Sequence, residues 1–296
     1  MKPCVRPAAD AADHTGASIT EPGRRPAQDV SMPQTPCSLP RRRFLAVSAA
    51  ALLGLGAAAP AAARARQVPV PESVLDAGPQ AMALTFDDGP SPQYTPQVLD
   101  VLRDHGVRAT FFVCGDNVGR YPDVVRRIAA EGHVLGNHTW SHPHLGELSA
   151  ADVRDQIQRT QDAVTEIGGR TPVLFRAPYG EFADASLAVC GDLGLRPISW
   201  SVDPTDWANP GSDTIADRVL AGATTGAIVL NHDGTEGGDD DPAPGSGGDR
   251  SQTVAALKSY LPRLIEAGYT FTTPDAHPPR RNPSRMFRRS DRLGSA

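Results

Sequence analysis

The feature that most constrains this chain is a repeated alternation beginning at Ala81, in which short runs rich in Val, Ile, Leu and Phe are followed by longer amphipathic stretches. The runs are AMALTF (81–86), ATFFV (109–113), HVLGN (133–137), VLFRA (173–177), RPISWSV (196–202), AIVLNH (227–232) and YTFTT (269–273). Between them lie stretches such as TPQVLDVLRDHG, YPDVVRRIAAEG and AADVRDQIQRTQDAVTEIGG, whose apolar residues recur at helical spacing and which close on Gly, a helix stop. Strands alternating with helices specify β-α units around a buried, largely parallel sheet. Seven such units in about two hundred residues favour a barrel over an open sheet, and in barrels chemistry gathers at the C-terminal strand ends.

The rest of the chain differs in character. Residues 1–65 read as a leader and export signal: Arg41 to Ala65 has paired arginines, an apolar run and small residues able to form a cleavage site. Arg41, Arg42, Phe44 and Leu45 fit the twin-arginine pattern R-R-x-F-L, which implies export of a folded protein to the cell wall or medium. The apolar run from Phe44 to Ala59 is alanine-rich and short of a membrane span, so no stable span is expected. The forty residues before the arginines lack periodicity and fit a disordered leader or a reading frame that truly starts at Met32.

Residues 66–79 read as a linker, 80–276 as the catalytic domain, and the arginine-rich 277–296 as a disordered tail. The chain is taken to act as a monomer. Its formal net charge is −5, and removing the basic leader makes it more acidic, which excludes nucleic acid as a partner. The acidic Gly-rich segment 234–250 lacks spaced ligands and reads as a solvated loop. Cys4 and Cys37 lie in the leader, leaving Cys114 and Cys190 either as one disulfide or as two buried thiols.

Five polar motifs sit at strand ends. Thr85-Phe86-Asp87-Asp88-Gly89-Pro90 puts two carboxylates at a strand exit, where the turn can aim both inward; an Asp pair capping a turn accounts for the segment equally well on its own. His138 and His142 are four apart, and on a helical turn they share a face and can share one metal ion. Two His plus a carboxylate describe a catalytic divalent site, Zn²⁺ first and Co²⁺ or another ion as alternatives. His144 falls outside that spacing and reads as a rim or substrate contact, while His105, His133 and His277 read as structural.

Arg176 closes the fourth run before a Pro-containing turn, where a guanidinium can orient a carboxylate through a forked hydrogen bond and the Tyr179 amide can face an oxyanion. His232 ends the sixth run, and a carboxylate from the neighbouring strand end would suit it as a general acid; a satisfied structural histidine is an equal account.

Taken in order, TFDDGP, HTWSH, RAPYG, DPTDW and LNH over residues 80–274 resemble the polysaccharide deacetylase family, also called carbohydrate esterase family 4 or the NodB-like domain. The resemblance implies an α/β fold, a distorted (β/α)7 barrel, acting on an acetylated polysaccharide or oligosaccharide. It assigns Asp88, His138 and His142 to one divalent metal ion, Asp87 to the base that activates water, and His232 to the acid. It further implies that Arg176 steers Asp87, Asp206 tunes His232, Tyr179 lends its amide, and Trp207 with Leu230 lines the acetyl-methyl pocket. Ala177 stands where many members carry a second proline, which loosens the turn without removing a functional group. The expected substrate is N-acetylglucosamine in peptidoglycan or chitin oligomers. An acetylxylan O-deacetylase and a non-catalytic glycan-binding module are the competing readings.

Overall fold

The computed structural model describes residues 68–235 and 248–278. The leader with its export motif, the centre of the acidic loop and the tail beyond 278 lie outside the described residues.

The sheet is built around β1 (Ala81–Asp87), every residue of which is buried. It pairs in parallel with β2 (Thr110–Val113) on one side and β6 (Ile228–His232) on the other, while its first two residues also pair with β7 (Thr270–Phe271). Beyond β2 the parallel ladder continues through β3 (Val134–Asn137), β4 (Leu174–Phe175) and β5 (Arg196–Pro197). The register sets Asp87 opposite His232, so two of the motif residues are neighbours across one ladder.

Alternation along β1 sorts its side chains. Met82, Leu84 and Phe86 join the larger apolar cluster, which also takes in residues of the covering helices. Ala83 belongs to a second cluster with Phe112, Leu174, Ile198 and Ile228. Thr85 and Asp87 share the parity of Ala83, which carries Asp87 into the barrel. Each fully buried Phe or Leu contributes about 2 kcal/mol, so the register is firmly set: a one-residue slip would exchange the two faces.

The helices are α1 (Thr95–Asp104), α2 (Gly115–Arg120), α3 (Pro122–Ala130), α4 (Ala150–Gly168), α5 (Asp184–Leu193), α6 (Ser212–Gly222) and α7 (Ser251–Glu266). The Gly stops fall where expected. Gly169 and Gly194 cap α4 and α5 in the left-handed conformation, and Gly106 and Gly132 follow α1 and α3 at φ 65° and 81°. At the other end of α4, the Ser149 hydroxyl accepts a hydrogen bond from the Asp152 amide.

Two expectations need correction. The fourth and fifth strands are two residues each; just after the fifth, the carbonyls of Ile198 and Ser199 accept from the Arg176 guanidinium. Residues 72–75, expected within a linker, close the barrel's seam: Glu72 bridges Ile198, Val74 bridges Ala227, and Leu75 is buried. A two-pronged ion pair from Arg196 to Glu72, at 3.0 and 2.9 Å, holds this segment. On the β6 side, Val202 bridges Val229. Cys114 and Cys190 are both buried and not bonded to each other, and burial pushes the Cys190 thiol up to about 12. Among the described residues no helix is long and apolar enough to cross a membrane.

Candidate active site

Asp87 and Asp88 both approach His138 Nε2, at 3.8 and 3.3 Å, although adjacent strand residues point to opposite sides. The strand ends at Asp87, and Asp88 enters the left-handed region at φ 69°, which turns its carboxylate back inward. Arg176, wholly buried, gives Nη1 to Asp87 Oδ1 at 2.8 Å and to Thr85 Oγ1 at 2.7 Å. Its Nε and Nη2 go to the carbonyls of Ile198 and Ser199, so the fork is not spent on Asp87 as expected but divided between β1 and the segment after β5. The plane also lies 4.2 Å from the Phe112 ring. Arg176→Lys supplies a point charge without the fork, leaving buried carbonyls without donors. We expect it to cost about 3 kcal/mol or more in urea unfolding, and an unchanged midpoint would refute this account of the barrel interior.

His138 and His142 do converge, but not on a helix. They belong to the loop after β3, where Thr139 and His142 adopt φ 68° and 55°, and this double left-handed turn brings their rings to 4.9 Å. One ligand atom each from Asp88, His138 and His142 lie within 4.8 Å of one another, and all three residues are buried. Asp88 Oδ1 is buried without a well-formed hydrogen bond and faces the Nε2 atoms of both histidines at 3.3 Å. The His138 Nδ1 sits 2.8 Å from the Arg176 carbonyl, which can only accept; Nδ1 therefore carries the proton and the Nε2 lone pair is left for the cluster. Three convergent donors around an orphaned carboxylate oxygen fit a divalent cation.

The charges of the cluster agree. Burial raises the Asp88 carboxyl, yet the contact with His138 and the nearness of His232 and His142 outweigh it and hold Asp88 well below the usual carboxylate range. Burial likewise disfavours protonated His138, but Asp87 and Asp88 raise it overall, so protons and a cation compete for Nε2.

His232 is paired with Asp206 as expected. Its Nδ1 lies 2.7 Å from Asp206 Oδ1, while Asp206 Oδ2 accepts from the His232 amide and from Thr253 Oγ1. Burial opposes charge on the imidazole, but Asp206 overrides it, and His232 is pushed up to about 9. Leu230, two residues before His232, shares its face of β6 and is buried, whereas Trp207, beside Asp206, is 52% exposed. Tyr179, 48% exposed at φ 57°, sets its ring against His142 at 4.6 Å and stacks on His144 at 3.9 Å. His144 bonds Glu181 and stays outside the ligand cluster. His133 accepts from the Ala109 amide and is buried, a structural role.

Residues 75–198 match the family described as polysaccharide deacetylase. The chitooligosaccharide deacetylase of Rhizobium leguminosarum bv. trifolii is 44% identical over 192 residues, which are 63% of this chain and 86% of the relative. The chain belongs to the polysaccharide deacetylase family. A crystal structure of the Bc1960 peptidoglycan N-acetylglucosamine deacetylase superposes with TM-score 0.63 at 35% identity, covering 70% of this chain and 91% of that one. A family 4 pseudoenzyme from Bacillus anthracis also superposes, with TM-score 0.63 at 28% identity over 71% and 69% of the two chains. The distorted (β/α)7 barrel is thus the fold of this deacetylase; a pseudoenzyme on the same frame shows that the barrel alone does not make an enzyme.

Several residues that contact the candidate site residues were not among those expected from the sequence. Thr85 stands two residues before Asp87 and shares its Arg176 donor, a link that strand parity alone could have flagged. Thr253, on α7, reaches Asp206 from 47 residues away. Asp233, buried beside His232, bonds Thr95 Oγ1 and fills the space over Gly89, where a Cβ would come within 2.6 Å of its carboxylate. Burial pushes Asp233 up to about 7. This contact accounts for Gly at the turn that carries Asp88.

Proposed function

We propose that this deacetylase removes acetyl groups from N-acetylglucosamine units of peptidoglycan or chitin oligomers, with Asp87 as base, His232 as acid and Zn²⁺ on Asp88, His138 and His142. The observation that carries the proposal is the buried convergence of three ligand atoms next to a carboxylate and an imidazole on paired strands. A divalent ion held there supplies Lewis-acid chemistry, acidifying a water molecule and polarising the acetyl carbonyl. Asp87, with Oδ1 tied to Arg176, keeps Oδ2 toward the cluster, 3.8 Å from His138 Nε2, and takes the proton of the attacking water. The Tyr179 amide donates to the developing oxyanion, and Trp207 and Leu230 line the space for the acetyl methyl.

His232, oriented through Nδ1 by Asp206, protonates the departing nitrogen from Nε2. An amine leaves only when protonated, so a strongly held acid supports an N-acetyl over an O-acetyl substrate. The paired arginines and apolar run at 41–65 support export, which brings the enzyme to wall polymer.

Acetate release from N-acetylglucosamine oligomers and from acetylated xylan, measured side by side, tests the proposal. We expect release from the oligomers, its loss after chelation, and recovery with Zn²⁺ or Co²⁺. Acetate from xylan alone would transfer the function to an esterase, and glycan binding without acetate in metal-replete protein would make the chain a pseudoenzyme.

A further inference from the structure

Because His138 and His142 are not on a helix, something other than a helical backbone must hold their separation. The loop between them is satisfied group by group. Asn137 Oδ1 accepts from the Thr139 amide at 3.0 Å, and Thr139 Oγ1 accepts from the His142 amide at 3.1 Å. The carbonyls of Thr139 and Trp140 accept from the amides of Gly115 and Asp116 at 3.0 Å each. The amides of Trp140 and Ser141 remain, and both are taken by one atom: Gln156 Oε1 on α4, at 2.9 Å from each, while Nε2 of the same side chain donates to Ser141 Oγ at 3.1 Å.

The same face of α4 fixes the rest of the loop. Arg159 lies over the Trp140 ring at 4.1 Å, and that ring packs so closely on Gly115 that a Cβ there would come within 2.4 Å. Asn137 is in turn held by α4, giving Nδ2 to the Ile157 carbonyl and to Gln161 Oε1.

We propose that Gln156 is a positioning residue for the metal site: by accepting two consecutive amides at the apex of the loop, it holds the left-handed turn that keeps His138 and His142 at ligating separation. This rests on the metal reading above. An acceptor oxygen is what the position requires, so a carboxylate can replace the amide and a thioether cannot. Partners that orient metal ligands typically change affinity by about 10- to 100-fold when removed.

The test compares wild type, Gln156→Met and Gln156→Glu. Met keeps the unbranched shape and helix propensity but lacks the acceptor. Zn²⁺ affinity is measured by competition with a chelator, and ligand geometry by the visible absorption of the Co²⁺-loaded protein; far-UV circular dichroism and apo-protein Tm report folding. We expect Gln156→Met to bind Zn²⁺ about tenfold or more weaker with an altered Co²⁺ spectrum, and Gln156→Glu to stay within about threefold of wild type. Gln156→Ala supplies the same comparison should the Met side chain not be accommodated. Unchanged affinity and spectrum in the Met or Ala variant, or an equal loss in the Glu variant, would overturn the proposal and leave the metal reading intact. Failure of the wild type to bind either ion would instead sink the metal reading and this inference with it.

Discussion

Asp87→Asn is expected to bind its divalent ion as the wild type does and to lose turnover by about 10³-fold. The side chain keeps its size and an oxygen for Arg176 Nη1, and the three ligand atoms of Asp88, His138 and His142 are untouched. What disappears is a basic site, and a positioned base is worth about 10²–10⁴-fold. The substitution also leaves the buried Arg176 charge facing a neutral amide, so a stability loss of about 3 kcal/mol should accompany it. His138→Ala should behave in the opposite sense: metal affinity falls by more than about 100-fold, beyond what loss of an orienting partner costs. Metal content after dialysis, followed by kcat in metal-replete buffer, separates the two. Equal metal loss in both variants would abolish the division of labour between Asp87 and Asp88.

The second large effect concerns pH. His232 is pushed up to about 9 against the pull of burial, with Asp206 the first of the groups that raise it and Asp88 and Asp87 following. A general acid works only while protonated, so wild-type turnover on N-acetyl substrates should hold through pH 8 and decline as pH passes about 9. Asp206→Asn keeps a hydrogen-bond acceptor but removes the charge; burial then dominates, and the alkaline limb should move down by about two units. A cation on the cluster offsets the shares of Asp88 and Asp87, so the shift between variant and wild type is the quantity to compare. Superimposable limbs would show that His232 is not the acid or that Asp206 does not set its charge. Stability should follow the same sign. The folded-state value lies above the ordinary 6.5, so the His232–Asp206 pair contributes fully below about 6.5 and is lost as pH rises through about 9.

Much of the site could be read along the chain because strand ends in β-α units announce themselves: an apolar run stops and polar residues begin. That logic located Asp87, Asp88, Arg176 and His232, and the last of these sits opposite Asp87 in the ladder. It reached the histidine pair by the wrong geometry. Spacing of four implied a helical turn, whereas the loop uses positive φ at Thr139 and His142, non-glycine residues whose backbone conformation no local pattern discloses. The linker expected at 66–79 failed for a similar reason: nothing in its composition shows that Glu72 will meet Arg196, 124 residues on.

By itself the sequence determined what depends on neighbours a few residues apart. Period-2 alternation put Thr85 and Asp87 on one face of β1, helical spacing and glycine stops set the order of elements, and strand exits marked where polar groups collect. Spacing and alternation could not tell Asp87 from Asp88; the family resemblance assigned them different roles, and the tertiary structure gives them different partners. Asp87 takes the Arg176 charge from 89 residues away, and Asp88, turned back at φ 69°, meets two imidazoles from the loop after β3. The physical reason is that a side chain's parity is written in its own strand, while its partner is chosen by the register and closure of the whole barrel.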